Sequence, residues 1–213
     1  MKKYVFVLLL ICISITNAQI FNNYGIKIGG TLTHQEWNYT NNIFNFDPDD
    51  AIGFSAGVFG EFLDISNIEL IGELNFIQRS VKEEIPFTTI QNPEGDGTTM
   101  IWNLKINYID LTVLAKAKLN LNFITPYIIA GPTYGFEISK SVNDESNFYD
   151  DFNKSQFGIK FGVGSEFQVI TINLLAEFSY NKILNSIYKN ENVDVTSYFY
   201  DFRVGVLFNS NSF

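Results

Sequence analysis

The sequence predicts an all-β protein, an eight-stranded antiparallel transmembrane β-barrel, from three observations. Apolar and polar residues alternate with period 2 in eight separate runs, and no 3.6-residue period persists. The connections between runs are alternately short and long. A leader of the secretory kind stands at the amino end.

The 213 residues suffice for one ordinary domain, and the 21 Phe, 11 Tyr and 2 Trp are too many for a disordered chain. A formal charge of −9 argues against nucleic acid as a partner, because phosphates need a basic face. Cys12 and His34 are each the only residue of their kind, which excludes an intramolecular disulfide, a Cys-based metal cluster and a multi-His site. No cofactor is called for.

In the leader, Lys2 and Lys3 precede an apolar stretch from Tyr4 to Ile15 and a small-residue exit at Thr16-Asn17-Ala18. The stretch is short of the roughly 20 residues of a spanning helix. The expected division is a signal peptide over 1–18, cleaved between Ala18 and Gln19, and a barrel domain over 19–213.

The first run sets Tyr24, Ile26, Ile28, Gly30 and Leu32 against Gly25, Lys27, Gly29, Thr31 and Thr33. In the second, Ile52, Phe54, Ala56, Val58 and Phe62 oppose Gly53, Ser55, Gly57, Phe59 and Glu61. The third places Ile68, Leu70, Leu74 and Phe76 against Glu69, Glu73, Asn75 and Arg79. The fourth places Ile109, Leu111, Val113, Ala115 and Ala117 against Asp110, Thr112, Lys116 and Lys118. In the fifth, Ile128, Ala130, Tyr134, Phe136 and Ile138 face away from Gly131, Thr133, Gly135 and Glu137. The sixth sets Phe157, Ile159, Phe161, Val163 and Phe167 opposite Gly158, Lys160, Gly162, Gly164 and Glu166. The seventh sets Ile172, Leu174, Ala176, Phe178 and Tyr180 opposite Asn173, Glu177, Ser179 and Asn181. The last has Tyr200, Phe202, Val204, Val206 and Phe208 against Asp201, Arg203 and Gly205. Each run is near or above the length of roughly 9–11 residues with which a tilted strand crosses a bilayer.

Links near 64–67, 120–123 and 169–171 are short, whereas those near 34–50, 83–101, 140–155 and 182–197 are long and polar. Long loops outside and short turns with both termini in the periplasm are the pattern of an outer-membrane barrel. In the fourth run, Asn103, Lys105 and Asn107 share parity with the apolar residues that follow. Residues 102–108 therefore read as a strand extension above the membrane, or as a β-bulge at Tyr108.

Alternation alone would also suit a soluble barrel, and the polar face decides the matter. It is largely Gly, Ser, Thr and Asn, as the inside of a narrow barrel requires. Its charges nearly balance, with acids at 61, 69, 73, 110, 137, 166, 177 and 201 and bases at 27, 79, 116, 118, 160 and 203. No charge falls on the middle of the outward face, where Lys or Arg costs about 2–4 kcal/mol in lipid. Aromatics at the run ends resemble interfacial girdles.

These strands resemble the PorT-like outer-membrane barrels of the Bacteroidetes lineage. The likeness is carried by Gly25-Ile26-Lys27-Ile28-Gly29-Gly30, Tyr108-Ile109-Asp110-Leu111, Leu114-Ala115-Lys116 and Pro126-Tyr127-Ile128-Ile129-Ala130-Gly131-Pro132. Phe157-Gly158-Ile159-Lys160-Phe161-Gly162-Val163-Gly164 and Leu175-Ala176-Glu177-Phe178-Ser179-Tyr180 add to it, while Thr112 stands where many members carry Pro. The resemblance implies an eight-stranded barrel embedded in the outer-membrane lipid bilayer. It implies no single activity, although some members are tied to secretion or gliding machinery.

The expected role is non-enzymatic, structural, surface or machinery-associated, with no catalytic, cofactor-binding or metal residue assigned. Two alternatives are kept. His34, at the outer end of the first run with Thr33 and Glu36 beside it, could serve a lipid A-modifying site as general base. The interior charges could line a small-solute channel, although eight strands normally leave a filled lumen. Asp47-Pro48-Asp49-Asp50, Glu94-Gly95-Asp96-Gly97, Asp144-Glu145 and Asp150-Asp151 offer oxygen ligands without the spacing of a calcium loop, and read as solvated turns.

Overall fold

A computed structural model describes residues 21–40, 48–86, 99–121, 123–142, 151–169 and 172–209. The leader with its cleavage edge, Glu94 to Gly97, Asp47 and Asp144 to Asp150 lie outside the described residues. Among the described residues there are nine strands: β1 (Asn23–Tyr39), β2 (Asp49–Ile65), β3 (Ile68–Pro86), β4 (Thr99–Lys118), β5 (Ile124–Val142), β6 (Ser155–Val169), β7 (Ile172–Ile183), β8 (Tyr188–Lys189) and β9 (Val193–Asn209). All neighbours pair antiparallel in the order β1-β2-β3-β4-β5-β6-β7-β9, and β1 pairs with β9 from Asn23↔Asn209 to Tyr39↔Val193. Eight strands thus close a barrel, and the two-residue β8 rides on β9. Closure is what permits a sheet in lipid, since no edge is left with unsatisfied backbone groups.

Each alternating run became a barrel strand with the predicted face outward. Ile26, Ile28, Ile52, Val58, Leu74, Leu111, Val113, Ile128, Phe161, Val163, Phe178, Phe202 and Val204 are all exposed on the outer wall. Lys27, Glu61, Glu69, Glu73, Asp110, Lys116, Lys160, Glu177, Asp201 and Arg203 are buried in the lumen. Aromatic contacts mark both ends of the apolar band. Tyr24 and Phe208 meet at 5.6 Å near the short-turn end, and Tyr180 and Tyr200 at 5.5 Å near the long-loop end.

Much of what the sequence suggests as long loops is strand. β1 runs on to Tyr39, β3 to Pro86, β5 to Val142 and β7 to Ile183, while β4 starts at Thr99 and β9 at Val193. At 20 residues, β4 would rise about 50 Å at the usual tilt, twice the ~25 Å apolar band. Its upper part leaves the lipid, so the preferred faces exchange. Trp102, Leu104, Ile106 and Tyr108 point inward and are buried, while Asn103, Lys105 and Asn107 point outward. The extension over 102–108 is thus present, and the strand keeps its parity throughout. A bulge is present as well, but in the partner strand. Asn107 pairs with Ser139 and Tyr108 with Glu137, which leaves Ile138 of β5 as the extra residue.

Candidate functional site

Among the described residues, side chains occupy the lumen in layers that follow from the register. Nearest the short turns, the Lys116 ammonium is 2.6 Å from Glu61, 3.0 Å from Glu69 and also bonded to Glu166, while Lys118 pairs with Glu69. Glu69 and Lys116 are cross-strand partners in β3 and β4, so register alone juxtaposes them. Above lies an apolar ring of Phe59, Ile71, Leu114, Tyr127, Ile129, Leu175 and Leu207. Two of its rings also serve the charges: Lys27 lies 4.6 Å from the Phe59 centroid and Lys116 4.9 Å from that of Tyr127. Gly164 makes room for Tyr127, since a Cβ there would lie 2.3 Å from the ring.

The middle layer is a closed square of charges. Lys27 bonds Glu73 at 2.8 Å and Glu177 at 2.7 Å, and Lys160 bonds the remaining oxygens of the same two carboxylates at 3.0 and 2.9 Å. Four strands, β1, β3, β6 and β7, are tied across the lumen. Arg203 pairs with Asp201 and reaches Asn75 at 2.7 Å, and Ser55 donates to Asp201 at 2.8 Å. The third layer is Arg79, bonded to Asp110 at 2.6 Å and to Gln156, with its guanidinium held over the Tyr108 and Phe199 rings. A Cβ at Gly135 would meet the Asp110 carboxylate at 2.5 Å, so only glycine leaves it space.

Above Arg79 the lumen closes with a hydrophobic plug. Trp37, Ile77, Val81, Trp102, Leu104, Ile106, Phe152, Ile183, Ile187, Val193, Val195 and Phe199 are buried together. The sequence does not single out this plug, because it lies above the lipid and inside segments that read as loops. The paired, buried charge network expected from the balance of acids and bases is present, and removing one partner of such a group costs about 3–5 kcal/mol. Glu137 and Glu166 are less deeply placed than the other six acids.

His34 lies on the outside of β1, one position above the last apolar residues of the band. Its Nδ1 donates to the Asp50 carboxylate of β2 at 2.6 Å, and its ring packs on Tyr198 of β9 at 4.8 Å. The acid beside it is Asp50. Glu36 instead accepts from Thr196 at 3.0 Å and Lys182 at 3.4 Å, which hold its carboxyl below the usual range, the hydroxyl most strongly. Thr33 points into the lumen and is buried. The Ser197 hydroxyl donates to the His34 carbonyl. Among the described residues, no group of three or more His, Cys, Asp or Glu is placed to hold a metal ion.

A closed eight-stranded barrel with an apolar belt outside and a charged lumen defines an integral membrane protein of the bacterial outer-membrane class. The chain matches the outer membrane protein beta-barrel domain family over residues 17–189, and it belongs to that family. Outer-membrane localisation and embedding in the lipid bilayer follow. No curated protein matches the chain in sequence. Among solved structures, the outer membrane protein OprG from Pseudomonas aeruginosa is similar at 10% identity and a TM-score of 0.52, over 89% of this chain and 97% of that one. Neisserial surface protein A is 16% identical with a TM-score of 0.45, over 86% and 96%. Ail, the attachment invasion locus protein of Yersinia pestis, is 15% identical with a TM-score of 0.41, over 87% and 98%. At such identities the likeness concerns the fold.

Proposed function

We propose that this is a non-enzymatic outer-membrane barrel of the PorT-like, Bacteroidetes type, matured by cleavage after Ala18. Its strand extensions and loops serve as a contact surface, adhesive or attached to secretion or gliding machinery. The observation that supports a non-conducting, structural role is the filled lumen: three ionic layers, an apolar ring and an apolar plug in series. A side-chain column of this kind stiffens the barrel and holds the extension upright, as a platform for contacts requires. The test is planar-bilayer conductance of the refolded protein together with a pull-down in mild detergent. No steady channel and a recurrent protein partner are expected; sustained open channels would overturn the reading.

A second reading, a lipid-modifying enzyme centred on His34, is favoured by the Asp50 hydrogen bond, which orients the imidazole as a general base requires. Against it, the Thr33 hydroxyl is buried on the lumen side and that of Ser197 is occupied by the His34 carbonyl. Lipid A mass spectrometry from cells carrying His34→Ala decides between the two, and an unchanged acylation pattern is expected.

A further inference from the structure

The first polar rung above the apolar band differs on the two sides of the barrel. On the β3–β5 side it is neutral: Gln78 donates to Asn107 at 3.1 Å, and Asn107 to Ser139 at 2.9 Å. On the β2–β1–β9–β7 side the register sets Asp50, His34, Tyr198 and Lys182 in one outward row. His34 pairs with Tyr198, Tyr198 with Lys182, and Asp50 is bonded to His34. The Lys182 ammonium hangs 5.4 Å from the Tyr198 centroid, and Tyr198 packs on Tyr180 at 5.6 Å and Tyr200 at 5.9 Å.

Directly below this row, on the lipid-facing wall, runs a furrow of about 520 Å³ lined by Gly30, Leu32, Ile52, Phe178, Tyr200 and Phe202. Gly30 forms its floor, and a Cβ there would find only the Gly53 carbonyl, at 3.5 Å. The hollow therefore comes from a missing side chain. A polar, aromatic and charged row over an apolar furrow matches an amphiphile standing upright in the outer leaflet.

We infer that the Asp50–His34–Tyr198–Lys182 row and the furrow beneath it form an outward lipid-binding site for a phosphorylated glycolipid of the outer leaflet. The parts divide by chemistry. Tyrosine rings stack on the C–H faces of a sugar while their hydroxyls stay wet. Asp50 and His34 exchange hydrogen bonds with sugar hydroxyls, which both donate and accept. Lys182, whose 3.4 Å pairing with Glu36 is partly exposed on the outer face, takes the phosphate as well, and the furrow takes an acyl chain. A simple anionic phospholipid would use Lys182 alone and would leave the tyrosine rings, Asp50 and His34 without a partner. Binding here needs no chemistry at His34, so the site stands whether or not the chain is an enzyme.

The test is native mass spectrometry of the full-length refolded barrel, released from detergent containing purified lipid A or phosphatidylglycerol. Folding of each variant is checked by heat-modifiable gel migration. One bound lipid A is expected, retained about fivefold more than phosphatidylglycerol. Gly30→Phe, which fills the furrow without touching the polar row, and Lys182→Gln are each expected to lower retention about fivefold. Gly72→Phe, which fills the larger furrow of about 750 Å³ below the neutral rung, is expected to leave it unchanged. Equal retention of phosphatidylglycerol, indifference to both site variants, or equal binding of soluble glucosamine phosphate would overturn the proposal.

Discussion

Two halves of one strand follow opposite rules. In the lower half of β4, Leu111, Val113 and Ala115 face out and Asp110, Thr112 and Lys116 face in. In the upper half, Asn103, Lys105 and Asn107 face out and Trp102, Leu104 and Ile106 face in. The parity of the backbone never changes between them. What changes is the surroundings: lipid rewards an apolar exterior and tolerates a charged interior only when it is paired, while water rewards the reverse. The barrel is an inside-out protein standing on the same eight strands as an ordinary one, and the exchange occurs near Ile109.

The largest test of the lower interior is Glu73→Gln. Glu73 is shared by Lys27, Lys160 and Arg203, so the substitution leaves buried cations under-compensated. A loss of about 3–5 kcal/mol is expected in urea unfolding from lipid vesicles. The upper interior is tested by Leu104→Ala, a residue with 0% exposure, at a cost of about 2–5 kcal/mol. Both tryptophans of the chain, Trp37 and Trp102, sit in this plug, so their fluorescence follows it directly. Leu111→Ala, on the same strand at 57% exposure, is expected to cost well under about 1 kcal/mol, because lipid refills the space left by the side chain. A comparable loss at both positions would erase the distinction between the halves.

Outward charges supply the next contrast. Val163→Arg in the middle of the lipid wall is expected to cost about 2–4 kcal/mol and to reduce assembled protein, whereas Asn107→Arg above the band is expected to assemble normally. The smallest effect lies at Glu36. Its carboxyl is held below the ordinary range by the Thr196 hydroxyl and by Lys182. The resulting stabilisation is present above the ordinary carboxylate pKa and is lost as the pH falls through the depressed one. The stability difference between wild type and Glu36→Gln is therefore expected to be small at neutral pH and to vanish in acid. Unfolding midpoints across that range measure it.

The sequence displays the lower half plainly and the upper half poorly, for a physical reason. Where lipid is outside and charge inside, the two faces differ as much as side chains can, and period 2 stands out. The signal weakens at Leu70-Ile71, Val113-Leu114, Ile128-Ile129 and Leu174-Leu175, where consecutive apolar residues hide the inner member of each pair. Those inner residues, Ile71, Leu114, Ile129 and Leu175, form the apolar ring of the lumen together with Phe59, Tyr127 and Leu207. Above the band, polar outward residues mimic a loop, so β1 beyond Thr33 and β3 beyond Lys82 read as connections. The row containing His34 was half legible. His34 stands out as the sole histidine; Asp50 joins it from the adjacent strand β2, but Tyr198 and Lys182 join it through closure of β1 on β9, which no local pattern reveals.

Labelling along β4 tests the exchange of faces most directly. Single cysteines are placed at each position from 103 to 117 in a background lacking Cys12, and read with an aqueous maleimide and with brominated-lipid quenching of an attached fluorophore. Positions 103, 105 and 107 should react from water, positions 111, 113, 115 and 117 should be quenched from lipid, and even positions should answer to neither. Aqueous reactivity running unbroken through the odd positions to 117 would contradict a lipid-facing wall and the exchange of faces at Ile109.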